Sequence, residues 1–438
     1  MNDGLKADLK ILMGGMKRTV AKHKKQAGES LVEGKQHMSF EVYNLMCEIL
    51  SKGANTNNSE YLFAHCYLVL EWNLMARSEN VQSCHVNHIA WDNDSLLFYF
   101  PISKSNQGGE NSHVPWHVYS NPFQPHLCPV LTLAKYLFSQ SGILAVGDRL
   151  FPGKHQYDRF IKVFHRIIKV HEAEFRRFGV ECGDLGSHST RKGAITHVSS
   201  GCTVSPPMAS ICLRACWSMG PIKDRYIHYE KAGDQFVGRS VTTISSMTKE
   251  FAVSPCYFDT TREDGSVDTV LDGKINQIIK TYLVSRTEQA NPSVLLLMRF
   301  LFASICFHYD YLLQNECAMS PLRSSAVLHA ASANLDVTGC ACIKFPWNKT
   351  LQTPQVTGIP PHVVLQAEME SLQQKMEQTK NDIVREMGLE LDRRHIGGDA
   401  FQGTRLLDQV TKVHDQMTDM LNRHQNGPVG GRGGVRRR

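Results

Sequence analysis

Apolar side chains recur at helical spacing once the chain passes Ser39. Phe40, Val42, Tyr43, Met46, Ile49 and Leu50 predict a helix, with Glu41 in its first turn and the Ser39 hydroxyl placed to cap it. The polar stretch 55–59 breaks the pattern. A second helix follows over about 60–74, with Leu62, Phe63, Cys66, Leu70 and Met75 as its buried stripe. From Val86 the period shortens. Segments 86–91 and 96–102 read as strands joined by the turn Asp92-Asn93-Asp94, and a third strand, 113–119, follows Gly108-Gly109. Pro122, Pro125 and Pro129 interrupt the chain before a helix at 130–139. Helical patterning resumes over 156–177, 192–199 and 208–215. The fold class is therefore mainly α with a small antiparallel β-sheet (α+β).

Beyond Ser254 the pattern is helical and otherwise anonymous. The most apolar run, 294–307, contains Arg299 and is too short to span a bilayer, so it predicts a buried helix. Leu365, Met369, Leu372, Met376, Thr379 and Ile383 alternate by four and three residues, which suits either a short coiled coil or packing within the chain.

Composition narrows the class without naming a function. The 438 residues are 42% hydrophobic and 21% charged, which excludes a largely disordered chain, a collagen-like repeat and a small disulfide scaffold. The thirteen cysteines form no repeating framework, and no apolar leader follows Met1, so reduced thiols in the cytosol or nucleus are expected. The Cys340-Ala341-Cys342 pair has no second Cys/His pair at zinc spacing, and no metal site is expected. The net charge of +6 is too mild to mark a nucleic-acid binder by bulk charge. Its location is more informative. Residues 1–39 carry eight Lys/Arg against four Asp/Glu, and the Gly-rich end adds Arg423, Arg432, Arg436, Arg437 and Arg438 without an acid. These ends suit phosphate contacts or nuclear import, and equally a solvated terminus.

Five separated pieces carry the candidate chemistry. They are Arg77 in Met75-Ala76-Arg77-Ser78-Glu79, Lys104 after a strand, and His188-Ser189-Thr190-Arg191-Lys192-Gly193. The others are Trp217 in Ala215-Cys216-Trp217-Ser218 and Tyr226 in Asp224-Arg225-Tyr226-Ile227-His228-Tyr229. Taken singly, Arg77 and Glu79 read as a surface pair, Lys104 as a solvated lysine, Trp217 as core and His188 as a helix cap. The order is what distinguishes them: Arg at a helix end, Lys on a β-hairpin, H-x-x-R opening a helix, then Trp nine residues before Tyr.

That order resembles the catalytic domain of the tyrosine recombinase (phage-integrase-like) superfamily, over about residues 40–252. The Arg-Ser-Glu segment followed by Ile89-Ala90-Trp91, the hairpin lysine, 186–194 and 217–239 look most like recombinases of Crypton-type eukaryotic mobile elements. The resemblance implies the tyrosine recombinase/integrase catalytic fold and site-specific DNA recombination or integration through a covalent 3′-phosphotyrosine. It further implies a double-stranded DNA partner, a homo-tetramer on DNA and nuclear localisation, with no metal, nucleotide cofactor or membrane. Tyr226 would be the nucleophile, preferred to Tyr229 because its spacing from Trp217 matches the commoner family arrangement. Arg77 and Arg191 would clamp the phosphate, His188 would act as base or hydrogen-bonding partner, and Lys104 would protonate the leaving oxygen. Trp217 would donate to the phosphate or buttress Tyr226.

The chemistry asks for the same residue types. A phenol with a pKa of about 10 is a weak nucleophile until deprotonated. Guanidinium forks pair bidentately with phosphate and stabilise a developing phosphorane charge. Transesterification conserves the bond energy, so no nucleotide is consumed.

Two departures stand out. Only residues 1–39 precede the catalytic region, as the expected remnant of a core-binding domain in either an N-terminally truncated copy or a mis-started gene model. Glu79 lies two residues after Arg77, where many integrases place an acid three after, and it is left out of the site. The expected organisation is a basic segment (1–39), a catalytic domain (40–252), a helical region of unassigned role (253–350), a helical or coiled-coil region (351–425) and a flexible Gly/Arg-rich tail (426–438). Rival readings are a decayed or domesticated DNA-binding protein that keeps the fold, and a type IB topoisomerase-like enzyme.

Overall fold

A computed structural model describes residues 3–27, 35–53, 58–100, 114–140, 149–181, 183–220, 225–258, 260, 265–283, 292–333, 340–341, 357–393 and 412. Helix α1 (Asp3–Gln26) is followed by α2 (Phe40–Lys52), whose Ser39 cap accepts from the Val42 amide at 3.4 Å. Helix α3 (Asn58–Leu74) buries Phe63, Tyr67, Val69, Leu70 and Trp72 on all sides. A helix apolar around its circumference must be surrounded. It packs on α2, α5 (Pro129–Phe138), α6 (Gln156–Val170) and α8 (Ser187–Ser200).

Strands β1 (Ile89–Asp92), β2 (Ser95–Tyr99) and β3 (Pro115–Val118) form one antiparallel sheet in that order, with Ile89 opposite Phe98 and Leu97 opposite His117. The predicted strand from Val86 starts three residues late, because 86–88 form a 3-10 turn closed by the His88 amide donating to the His85 carbonyl. The Asp92–Asp94 turn is present, with Asn93 at φ 50°, a conformation asparagine tolerates better than most residues.

The helix expected over 156–177 is two helices, α6 and α7 (Glu172–Arg176), divided at His171. The helix expected from Lys192 begins five residues earlier, at Ser187. The Gly186 amide donates to Ser189 Oγ and the Ser189 amide donates back to the Gly186 carbonyl, which closes the first turn. After α9 (Met208–Arg214) and α10 (Lys231–Ser240) come α11 (Thr269–Leu283), α12 (Pro292–Phe307), α13 (Tyr309–Asn315) and α14 (Ala326–Ala333). The apolar run of α12 is a core helix: it packs on α5 and β1, and Phe300 stacks on Trp91 at 3.9 Å. Among the described residues no single helix is long and apolar enough to cross a membrane.

The chain divides into two compact units, 1–245 with 250–358, and 246–249 with 359–438. The second contains α15 (Pro361–Arg393), held to its short upstream piece by a Lys249–Glu370 ion pair and a 2.6 Å contact between His362 Nε2 and the Ser246 carbonyl. The heptad residues Leu365, Leu372 and Ile383 are exposed along α15.

Candidate functional site

Helix α3 delivers Arg77 through its C-terminal closure. The Met75 amide donates to the Trp72 carbonyl and the Ala76 amide to the Glu71 carbonyl, with Met75 left-handed at φ 48°. This is a Schellman motif, which turns the chain sharply and ends the helix. Arg77 then heads α4 (Ser78–Gln82), its side chain half-buried.

Helix α9 delivers Trp217 in the same way. The Cys216 amide donates to the Leu213 carbonyl and the Trp217 amide to the Cys212 carbonyl, with Cys216 at φ 49°. Trp217 is 44% exposed. The Ala215 carbonyl at this closure accepts from Arg191 Nη2, so the arginine of the H-x-x-R motif braces the turn that presents the tryptophan.

His188 and Arg191 lie three residues apart in the first turn of α8, with His188 exposed and Arg191 buried. Helix α8 can approach α3 because position 193 is glycine. A Cβ there would lie 2.0 Å from the Met38 carbonyl oxygen and 2.9 Å from the Trp72 ring. This close approach brings Arg191 toward Arg77. Burial, then the Arg77 charge, lower the Arg191 pKa to about 10, while Cys216 and Glu71 act in the opposite sense. The Arg77 side chain makes no hydrogen bond or ion pair among the described residues. Two cations held near one another, one of them without an acidic partner, form a site that favours an anion.

Tyr226 is 74% exposed in a short helical turn with Arg225, and residues 227–230 have no regular secondary structure. Tyr226 and Tyr229 therefore do not share a helical face. In non-helical chain, residues three apart need not point the same way, and here they do not. The Tyr229 hydroxyl is sealed from solvent without a hydrogen-bond partner among the described residues, and burial, then Asp234, push its pKa well up. Among the described residues no hydrogen bond joins His188, Trp217 or Tyr226 to either arginine. Lys104 lies outside the described residues.

The segment carrying Trp217 and Tyr226 is anchored at both ends by a charge cluster that sequence reasoning missed. Arg214, fully buried at the end of α9, pairs with Asp234 of α10 at 2.6 Å and donates at 2.9 Å to the Asn73 and His117 carbonyls. Asp234 Oδ2 accepts from the His117 amide and lies 2.8 Å from His117 Nδ1. Burial raises the Asp234 pKa, but the Arg214 charge and the His117 bonds outweigh it and hold the carboxyl below its usual range. Two further ion pairs, Lys231–Asp92 at 2.9 Å and Arg239–Asp94, dock α10 on the β1–β2 turn.

Glu71 was also missed. It is fully buried, and Ser78 Oγ donates to its Oε1. The available signal was a lone acid inside an apolar helix, between Leu70 and Trp72. Among the described residues no group of three His, Cys, Asp or Glu side chains is placed to hold a metal ion. Compared with protein-family models, curated proteins and solved structures, the chain matches none.

Proposed function

We propose that the chain cleaves and rejoins DNA strands as a tyrosine recombinase, using the recombinase/integrase fold and a covalent 3′-phosphotyrosine. The observation that carries this reading is that Arg191 of the H-x-x-R motif bonds the Ala215 carbonyl at the closure presenting Trp217, while the Arg77 charge acts on the same guanidinium. Two arginines, with the Arg77 side chain unpaired among the described residues, suit the two non-bridging oxygens of a phosphodiester. In this reading Tyr226 Oη attacks phosphorus, and the bond to the 5′ oxygen breaks. His188 takes the phenol proton, and Lys104 supplies a proton to the departing oxygen. The arginines stabilise the charge that develops between these events. Trp217 lies on the same presented segment as Tyr226 and supports the phosphate or the nucleophile. Double-stranded DNA is the partner, in a homo-tetrameric synapse within the nucleus.

The exposure of Tyr226 supports a second reading. A phenol without a bond to the arginine pair also fits a DNA-binding protein that keeps the fold and has lost the reaction. Nicked suicide duplexes separate the two readings, because cleavage on them traps the covalent protein–DNA adduct. The recombinase reading expects an adduct that is lost in Tyr226→Phe and kept in Tyr229→Phe. Duplex binding without adduct on any substrate favours the second reading. Relaxation of supercoiled plasmid without site preference would instead indicate topoisomerase-like chemistry.

A further inference from the structure

Glu71 is the buried acid that the scheme above leaves unused. It sits six residues before Arg77, on the last turn of α3, and its own carbonyl is an acceptor in the closure that turns the chain toward Arg77. Its side chain reaches both arginine-bearing segments. Ser78, immediately after Arg77, donates its hydroxyl to Oε1. Thr190, immediately before Arg191, acts on the same carboxyl through its hydroxyl, and the Arg191 charge acts on it as well. Ser78 is further fixed by Tyr67, whose hydroxyl donates to the Ser78 carbonyl at 2.8 Å. Glu71 Oε2 is shut away from solvent without a hydrogen bond of normal geometry among the described residues. Burying a carboxyl with one oxygen unsatisfied is costly, and a buried polar group of this kind is kept where it fixes a specific arrangement.

We infer that Glu71 is a positioning residue that fixes Arg77 relative to Arg191 by holding the Ser78 hydroxyl on a buried carboxyl. This deepens the proposed function, since it rests on reading the two arginines as phosphate ligands. Glu79, the acid nearest to Arg77 in sequence, is exposed and does not occupy this place. Glu71 touches no reacting atom. It acts through the Ser78 hydroxyl, by fixing where the Arg77 guanidinium stands.

The test is a mutant cycle on the full chain, read as the rate of adduct formation on randomised nicked suicide duplexes. Glu71→Ala is expected to lower the rate by about 10- to 100-fold, the scale on which a small misplacement of a binding group acts. Glu71→Gln, which keeps the shape and one acceptor, recovers part of the loss. The Ser78→Ala variant reproduces the loss, and adding Glu71→Ala to it costs nothing further, because both changes cut the same link. Thermal unfolding of each variant separates this from a general loss of fold, which would scale with stability rather than with the cycle. An unchanged rate in Glu71→Ala, or losses that simply add, overturns the proposal.

If the wild-type chain forms no adduct, the recombinase reading falls separately. The same cycle is then read as affinity for inorganic phosphate by calorimetry. Weaker binding in Glu71→Ala with the same non-additivity upholds the positioning role. Unchanged binding, or none in the wild type, overturns it.

Discussion

Met75 and Cys216 occupy the same place in two copies of one motif. Each is the left-handed residue of a Schellman closure, at φ 48° and 49°, and each stands one or two residues before a candidate site residue, Arg77 or Trp217. Glycine usually fills this place because a side chain adds steric cost there. The chain instead places two non-glycine residues beside its site, a pattern of local strain that clusters at functional positions.

Cys216→Gly is therefore expected to stabilise the fold by about 1 kcal/mol, since it relieves the left-handed cost at a half-buried position. Met75→Gly is expected to do the opposite and cost about 2–4 kcal/mol, because the Met75 side chain is fully buried and its packing outweighs the backbone relief. Urea unfolding of the two variants measures both. The same sign in both would refute the account.

Gly193→Ala is expected to destabilise the chain by at least about 1–3 kcal/mol, the usual cost of overpacking. The new methyl would meet the Met38 backbone oxygen, which cannot swing aside as a side chain can. Because the change also pushes α8 from α3, affinity for duplex DNA should fall along with stability. Wild-type stability in this variant would show that the two helices do not meet as described.

Burial raises the Glu71 pKa to about 7, against the lowering effects of Ser78, Thr190 and Arg191. The folded state thus holds this proton more tightly than the unfolded state. The stability Glu71 contributes is complete below the ordinary carboxylate range and is lost as pH rises toward about 7. Burial of His308 lowers its pKa to about 4 and acts in the opposite sense over lower pH. The comparison to make is therefore between the wild type and Glu71→Gln, which share His308. Relative to that variant, the wild type should lose stability as pH rises from about 4.5 to about 7 in urea titrations. A pH-independent difference would contradict the assignment.

The two polar groups beside the Tyr226 segment should respond in opposite ways. Tyr229→Phe removes a buried hydroxyl that has no partner among the described residues, and a neutral or slightly stabilising effect is expected. Asp234→Asn leaves Arg214 buried without its counter-ion, and a loss of about 3–5 kcal/mol is expected. Thermal unfolding of both variants checks the contrast.

Local structure was legible wherever a short-range signal was decisive. The Ser39 cap, the Asp92–Asp94 turn, the apolar face of α2 and the presence of α3 and α5 follow from side-chain periodicity and turn chemistry within a few residues, whereas the burial of α3 on all sides exceeds the stripe expected for it. So did the mainly helical class with a small three-stranded sheet, but not the two-stranded pairing of 257–258 with 340–341. The break at His171 and the early start of α8 were not legible, because each depends on hydrogen bonds that compete with helix propensity at one residue.

The sequence by itself determined which residue types stand at which intervals: Arg77, Lys104, His188, Arg191, Trp217 and Tyr226, in that order. Only the tertiary structure decided which of them meet. Arg77 and Arg191 converge because Gly193 lets α8 close on α3, and Tyr226 and Tyr229 part because the chain between them is not helical. Glu71, Arg214, Asp234 and His117 had no distinguishing spacing. Their importance comes from burial, where an ionisable side chain without water must find a partner, and the partners arrive from distant parts of the chain.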